Sequence, residues 1–145
     1  MKIALGADHR GFALKEQLKK HTQLAGISIE WFDMGAYDAQ RSDYPLFVRK
    51  VCEELLKGSV DAGILLCGSG VGMSIAANRY PGVYAALVWN EDVARMSKED
   101  DNANVLVLPA DFIFEAQMIG IISAWLRASS KGGRYQERLG MIDGE

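Results

Sequence analysis

Val60-Asp61-Ala62-Gly63-Ile64-Leu65-Leu66-Cys67, followed at once by Gly68-Ser69-Gly70-Val71-Gly72-Met73-Ser74-Ile75-Ala76-Ala77-Asn78, is the stretch that decides the fold of this chain. Val60 to Cys67 is the most apolar run in the sequence and reads as a strand buried on both faces. Alternate glycines at 68, 70 and 72 then turn the chain into a short helix that runs through Asn78. A strand, a glycine turn and a helix in immediate succession form the repeating unit of a parallel sheet, because parallel strands can be joined only by a crossover, usually helical.

The same alternation continues on both sides. Lys2 to Gly6 reads as a buried strand and Phe12 to Gln23 as a helix with Leu14 and Leu18 on one face, until Gly26 breaks the pattern. Ile27 to Met34 is rich in β-branched and aromatic residues and reads as a strand. Ser42-Asp43-Tyr44-Pro45 supplies a polar cap and a first-turn proline for a helix reaching about Lys57. After the turn at Pro81-Gly82 come a strand from Val83 to Trp89, a helix from Glu91 to Asp100, a strand from Val105 to Leu108 and a helix from Phe112 to Ala128. The expectation is a single-domain α/β protein over residues 1–145: a doubly wound, five-stranded parallel sheet with helices on both faces, a Rossmann-like α/β/α sandwich. Ser129 to Gly133 reads as a hinge, which makes 129–145 a C-terminal basic tail.

Composition narrows the function classes. A net charge of −3 with basic residues scattered among acidic ones gives no clustered basic face for nucleic acid. No apolar run approaches the roughly 20 residues of a membrane span, and the chain opens on a strand-like stretch instead of a signal peptide, so a cytoplasmic protein is expected. The two cysteines, Cys52 and Cys67, are then expected to stay reduced. Cys52 falls in a helical stripe with Phe47, Val48, Val51, Leu55 and Leu56 and reads as core.

In doubly wound sheets ligands bind beyond the carboxyl ends of the strands, which singles out Ala7 to Gly11, Gly35 to Ser42, Gly68 to Gly72 and Asn90. The glycine loop reads as an anion hole, with a merely tight strand-to-helix turn as the alternative. Its G-x-G-x-G pattern matches neither the dinucleotide fingerprint nor a phosphate-binding P-loop. Cys67 stands directly before this loop and a following helix, a position that can lower a thiol's pKa toward neutrality and make it a base or nucleophile. Asp8, His9 and Arg10 occupy the first strand-to-helix loop and can reach the same edge, although Asp8 as a helix cap and His9 as surface remain open. His21 lies among lysines and reads as solvated surface. Arg134 and Arg138 share a face if their segment is helical; paired guanidiniums suit a phosphate, and a solvated helix with Glu137 as neighbour is the alternative.

Taken together, Gly6-Ala7-Asp8-His9-Arg10-Gly11-Phe12, Ser42-Asp43-Tyr44-Pro45, Leu66 through Asn78 and Gly132-Gly133-Arg134 resemble the type B ribose-5-phosphate isomerases and the related galactose-6-phosphate isomerase subunits. The resemblance runs in order over nearly the whole chain. It implies an aldose–ketose sugar-phosphate isomerase, by default of ribose 5-phosphate and ribulose 5-phosphate, that works through a cis-enediolate without metal or cofactor. It also implies a homodimer, sometimes paired into a tetramer, with the site shared between subunits. On matching positions Cys67 would be the base, and Ser69 with the loop at Gly68, Gly70, Val71 and Gly72 would hold the enediolate oxygen. Asp8 would bind sugar hydroxyls, Tyr44 would line the pocket, and His9, Arg134 and Arg138 would hold the phosphate.

Three positions depart from the family pattern. Asp100-Asp101 stands where the family usually has His-Asn, a histidine associated with ring opening; Asp111 replaces an arginine of the phosphate site; and Tyr135 replaces a histidine. Two of these changes put negative charge where a phosphate is expected, which calls for a cation or water between them. Asp100 could itself act in ring opening, or the substrate could need none, as a tetrose 4-phosphate does not. A hexose 6-phosphate, a sugar without phosphate in the usual place and a non-catalytic sugar-phosphate sensor are the other readings. A flavodoxin-like redox domain fits the fold but leaves Cys67 and the arginines unexplained.

Overall fold

Every residue of the strand Ala62–Cys67 is buried, and it stands at the centre of the sheet, as its continuous apolar sequence requires. The computed structural model describes residues 1–144. In chain order its elements are β1 (Lys2–Ala7), α1 (Phe12–Lys19), β2 (Gln23–Leu24), β3 (Ile27–Ser28), β4 (Glu30–Asp33), α2 (Tyr44–Leu56), β5 (Ala62–Cys67), α3 (Val71–Ala77), β6 (Ala85–Leu87), α4 (Glu91–Asp101), β7 (Val105–Pro109), α5 (Glu115–Arg127) and α6 (Arg134–Ile142). Five strands form one parallel sheet in the order β4-β1-β5-β7-β6.

The two-residue period of the strands sorts the core into two layers. Ile3, Leu5, Ile64, Leu66, Leu106 and Leu108 face α1, α4 and α5, where Leu18, Ala94, Met118, Ile121, Ile122 and Trp125 meet them. Ala4, Leu65, Cys67, Val105 and Val107 face the other way, toward Phe47, Val48, Val51 and Cys52 of α2 and Met73 and Ala77 of α3. Cys52 is wholly inaccessible and its thiol is pushed up to about 12 by burial, with Glu53 adding to the effect, so it is core as expected.

From β1 the chain moves outward to β4 and then returns to place β5 on the other side, so strand order reverses between β1 and β5. That reversal opens the crevice in which such folds bind ligands, and the loops after β1 and β5 border it.

Several expected boundaries shift. The helix expected to reach Gln23 ends at Lys19, and the strand expected over Ile27 to Met34 divides into β3 and β4. The reason is a small hairpin: β2 and β3 pair antiparallel around Ala25 (φ 52°) and Gly26 (φ 74°), the two positive φ values of a tight I′ turn. The strand expected over Val83 to Trp89 shortens to β6, and the final long helix begins at Glu115 instead of Phe112. The segment read as a basic tail carries the helix α6. Its basic residues Lys131, Arg134 and Arg138 are matched in number by Glu137, Asp143 and Glu145, so the tail is not basic overall. None of the helices among the described residues is long and apolar enough to cross a membrane.

Candidate active site

Loop amides set the geometry around Cys67. At the carboxyl end of β5 the strand delivers the thiol to the face covered by α3, and the chain must then reverse sharply. Gly70 makes that turn at φ 79°, and a Cβ there would come within 2.4 Å of Leu87, so glycine is required on both counts. The turn points the N–H groups of Gly70 and Met73 at the Cys67 sulfur. Ser69 Oγ accepts from the N–H of Val71 at 3.2 Å, which leaves its own O–H able to donate outward. Tyr44 lies against Gly72, where an added Cβ would be 2.6 Å from its ring.

Burial pushes the Cys67 thiol above its ordinary range. The Met73 and Gly70 amides draw it back down, the Asp8 carboxylate pushes it further up, and the Arg10 guanidinium lowers it. The expectation of a thiol lowered toward neutrality is therefore reversed within one chain: a thiol that is 5% exposed loses more solvation than two amides return. When ionised, such a thiol is a stronger base than an ordinary one.

The first loop is tied to the same place. Asp8 is buried, and its Oδ1 accepts from the N–H groups of Arg10 (2.9 Å) and Gly11 (3.1 Å), so it caps the loop. Gly11 packs so closely on Leu66 that a Cβ would lie 2.3 Å from its carbonyl oxygen. His9 Nδ1 accepts from the N–H of Ser42 at 3.2 Å, which joins the first loop to the second and leaves Nε2 to carry the proton of a neutral ring. Beside it, the Ser42 Oγ is buried without a hydrogen-bond partner. The loop after β7 is clamped to the glycine loop, with Ala110 N–H on Cys67 O (2.8 Å) and Asp111 N–H on Gly68 O (3.0 Å). Asp111 pairs with Arg10, which is the cation that its position called for.

Asp8, His9, Tyr44, Cys67, Ser69 and the loop at Gly68, Gly70, Val71 and Gly72 are thus gathered at one edge. Arg134 and Arg138 are not. Helix α6 lies beside the entries of β6 and β7: Asp143 accepts from the Tyr84 hydroxyl, and Leu139 and Ile142 share a cleft of about 710 Å³ with Tyr80, Tyr84, Asp101 and Ala103. This is the opposite end of the sheet from Cys67. There Lys131, Arg134 and Arg138 all stand over the Tyr135 ring at 5.0 to 5.5 Å, and Lys131 Nζ reaches Asp100 at 2.8 Å. The Arg134 hydrogen bond and the Lys131 charge lower the Tyr135 phenol. Asp100 and Tyr135 therefore belong with the arginines, away from their own chain's Cys67.

Two further residues carry no signal in the local sequence. Arg10 lies on the glycine loop and pairs with Asp111. Lys15 is wholly buried, with Nζ 2.6 Å from Asp33 Oδ1 and the rings of Phe12 and Tyr37 about it. Burial works to raise the Asp33 carboxyl, but hydrogen bonds from Lys15, Lys19 and the Gly35 N–H outweigh it and hold the group below its usual range. Gly35 O in turn accepts from Ala7 N–H at 2.7 Å, so this ion set braces the strand end that carries Asp8.

A family model described as Ribose/Galactose Isomerase matches residues 3–142. Ribose-5-phosphate isomerase B of Escherichia coli (strain K12) is 38% identical over 141 residues, which cover 97% of this chain and 93% of that protein. A ribose 5-phosphate isomerase structure from Thermotoga maritima gives a TM-score of 0.92 at 43% identity, covering 99% of this chain and 98% of that one. The structure of ribose-5-phosphate isomerase B from Mycoplasma genitalium with bound ribulose 5-phosphate gives 0.87 at 38% identity, covering 99% and 94%.

Proposed function

This chain belongs to the ribose/galactose isomerase family, and on that premise we propose that it interconverts an aldose phosphate and a ketose phosphate, with ribose 5-phosphate and ribulose 5-phosphate as the default pair. The observation that carries the reading is Cys67: a buried thiol at the crevice, with two amides on its sulfur and the Asp8 loop beside it. The open-chain aldose loses the proton on C2 to the Cys67 thiolate, its carbonyl electrons move to O1, and a cis-enediolate forms. The O2 hydroxyl proton passes to O1 within the cis-enediolate, and the thiol then returns a proton to C1 as the C2 oxygen becomes the carbonyl and the C1 oxygen a hydroxyl. Ser69 O–H is free to donate to the oxygen on which charge develops, as an oxyanion-hole group does. Asp8 is suited to sugar hydroxyls and Tyr44 to lining the pocket. His9 reaches the phosphate end with Nε2.

We place Arg134 and Arg138 in the site of a second copy. One chain holds them at the far end of the sheet from its own Cys67, so a homodimer that sets the two ends against each other completes two sites at once. Exposed apolar residues support such a surface: Val71 and Ile75 on α3, and Met141 and Ile142 on α6. Pairing of dimers into tetramers and a cytoplasmic setting, where Cys52 and Cys67 stay free, complete the reading.

The test is a panel of tetrose 4-, pentose 5- and hexose 6-phosphates followed by NMR in deuterated water, with Cys67→Ala beside the wild type. Isomerisation with deuterium entering the transferred position, lowered about 100-fold or more in Cys67→Ala, is the expected result. Binding of the sugar phosphates without any exchange would instead identify a sensor.

A further inference from the structure

We propose that Arg10 is a ligand for the substrate's phosphate, and that the phosphate takes the place of Asp111 as partner of its guanidinium. This rests on the reading of the crevice as a sugar-phosphate site.

Arg10 is held at two points: its backbone N–H donates to Asp8 Oδ1 at 2.9 Å, and its Nη2 is paired with Asp111. Between these anchors the guanidinium lies on the glycine loop itself: a Cβ on Gly68 would meet its Cζ, Nε and Nη1 at 2.5 to 2.7 Å. Gly68 is thus the residue that lets a planar cation rest one position from the base. The Asp111 backbone is held in turn, because its N–H is on Gly68 O. A guanidinium that rests on the loop with its fork already turned to a carboxylate needs little rearrangement to take up an anion, and its donors match phosphate oxygens in pairs.

Charge at this edge requires such a group. Asp8 and Asp111 bring two carboxylates to the loop that a phosphate dianion must approach, and Arg134 and Arg138 of the same chain are at the other end of the sheet. Besides the His9 ring, Arg10 is the side chain gathered with Cys67 that can offset them. The side chains of Arg10 and Asp111 are 57% and 33% exposed, so their pairing is the weak, solvent-screened kind that a dianion displaces. A purely structural latch would need only that the pair stay closed. An anion ligand needs the cation and does without the carboxylate, and that difference is measurable.

Inorganic phosphate is the probe, bound to the intact protein and followed by calorimetry and by inhibition of isomerisation. Arg10→Met is expected to weaken phosphate binding about 10-fold or more and to raise KM for the sugar phosphate by a like factor, with kcat falling as well because the Cys67 thiol loses the charge that lowers it. Asp111→Asn breaks the same pair and is expected to bind phosphate at least as tightly as the wild type. Equal weakening in both variants, or unchanged binding in Arg10→Met, overturns the proposal. Should no sugar phosphate be isomerised, the function fails while calorimetry of the two variants still decides the role of Arg10.

Discussion

Gly11 and Gly120 offer a paired perturbation in which nearly identical close approaches are expected to have opposite consequences. A Cβ on Gly11 would lie 2.3 Å from the Leu66 carbonyl oxygen, 2.6 Å from its carbon and 2.7 Å from its Cβ. These are parts of the central strand, so relief requires the first loop and β5 to part by about 1 Å to restore ordinary contact. Forcing them apart costs about 1–3 kcal/mol as overpacking. It also strains the Asp8 N–H bond to Leu66 O (3.3 Å) and the Gly11 N–H bond to Asp8 Oδ1 (3.1 Å), each worth about 1 kcal/mol. The sum is about 3–5 kcal/mol. With an unfolding entropy of about 0.3 kcal/mol/K for a chain of this length, Gly11→Ala should lower Tm by about 10–16 °C. On Gly120 a Cβ would meet Glu91 Oε1 at 2.2 Å, but that is the free end of an exposed side chain that swings away. What remains is the gain of about 0.8–1 kcal/mol from replacing glycine inside α5, and a Tm raised by about 1–3 °C. Scanning calorimetry of both variants is the assay, with circular dichroism to verify the fold. A Gly11→Ala variant that melts within about 2 °C of the wild type would refute the backbone-contact reasoning, and so would a Gly120→Ala variant that falls as far as Gly11→Ala.

Three further outcomes follow from the site. Burial raises the Cys67 thiol within one chain, so in dissociated chains alkylation of Cys67 at pH 8 should be slower than that of a free cysteine, with Cys52 inert throughout; alkylation of dissociated chains as fast as that of a free cysteine contradicts the burial. Asp33→Asn leaves the buried Lys15 without its 2.6 Å partner and should cost about 3–5 kcal/mol in denaturant melts. Because the native Asp33 carboxyl is held low, its contribution is complete above the unfolded carboxylate pKa and disappears as pH falls through the lower folded value, so the variant should also have a flatter Tm profile between pH 2 and 4. If sites are shared, unfolding and refolding Cys67→Ala together with a doubly substituted Arg134→Met, Arg138→Met chain should restore about a quarter of wild-type activity, since statistical pairing gives half hybrids with one intact site each; no recovery in verified hybrids argues against the shared site.

Residue patterns local in sequence were legible, and pairings set by distant residues were not. Ala62 to Cys67 declared a central strand because the run carries no polar or charged side chain, and the glycines after it declared the turn, one of them at a φ that side chains avoid. The hairpin between β2 and β3 was hidden because Ala25, which has no turn preference, takes a positive φ there. Lys15 has no local signal of burial; it is buried because Asp33 and Tyr37 arrive from later in the chain to cover it. Arg10 had no legible partner, since Asp111 lies 101 residues away. Asp111 alone looked like a charge of the wrong sign for its place. Its meaning changes once the two are seen as a pair.

The raised thiol and the displaced arginines bear on one another. A base that must ionise needs positive charge near its sulfur, and in a single chain Cys67 has only two amides and Arg10 working against its burial and against Asp8. Lys131, Arg134 and Arg138, which converge on Tyr135, form a compact group of cations, and they stand at the wrong end for their own thiol. Bringing a partner's α6 to the crevice adds that charge to a site whose low local dielectric magnifies it, lowering the thiol at the same time as it binds the phosphate. On this reading assembly tunes the base as well as completing the pocket. Dissociated chains should then lose thiolate reactivity along with turnover, even though every bond around Cys67 is made within one chain.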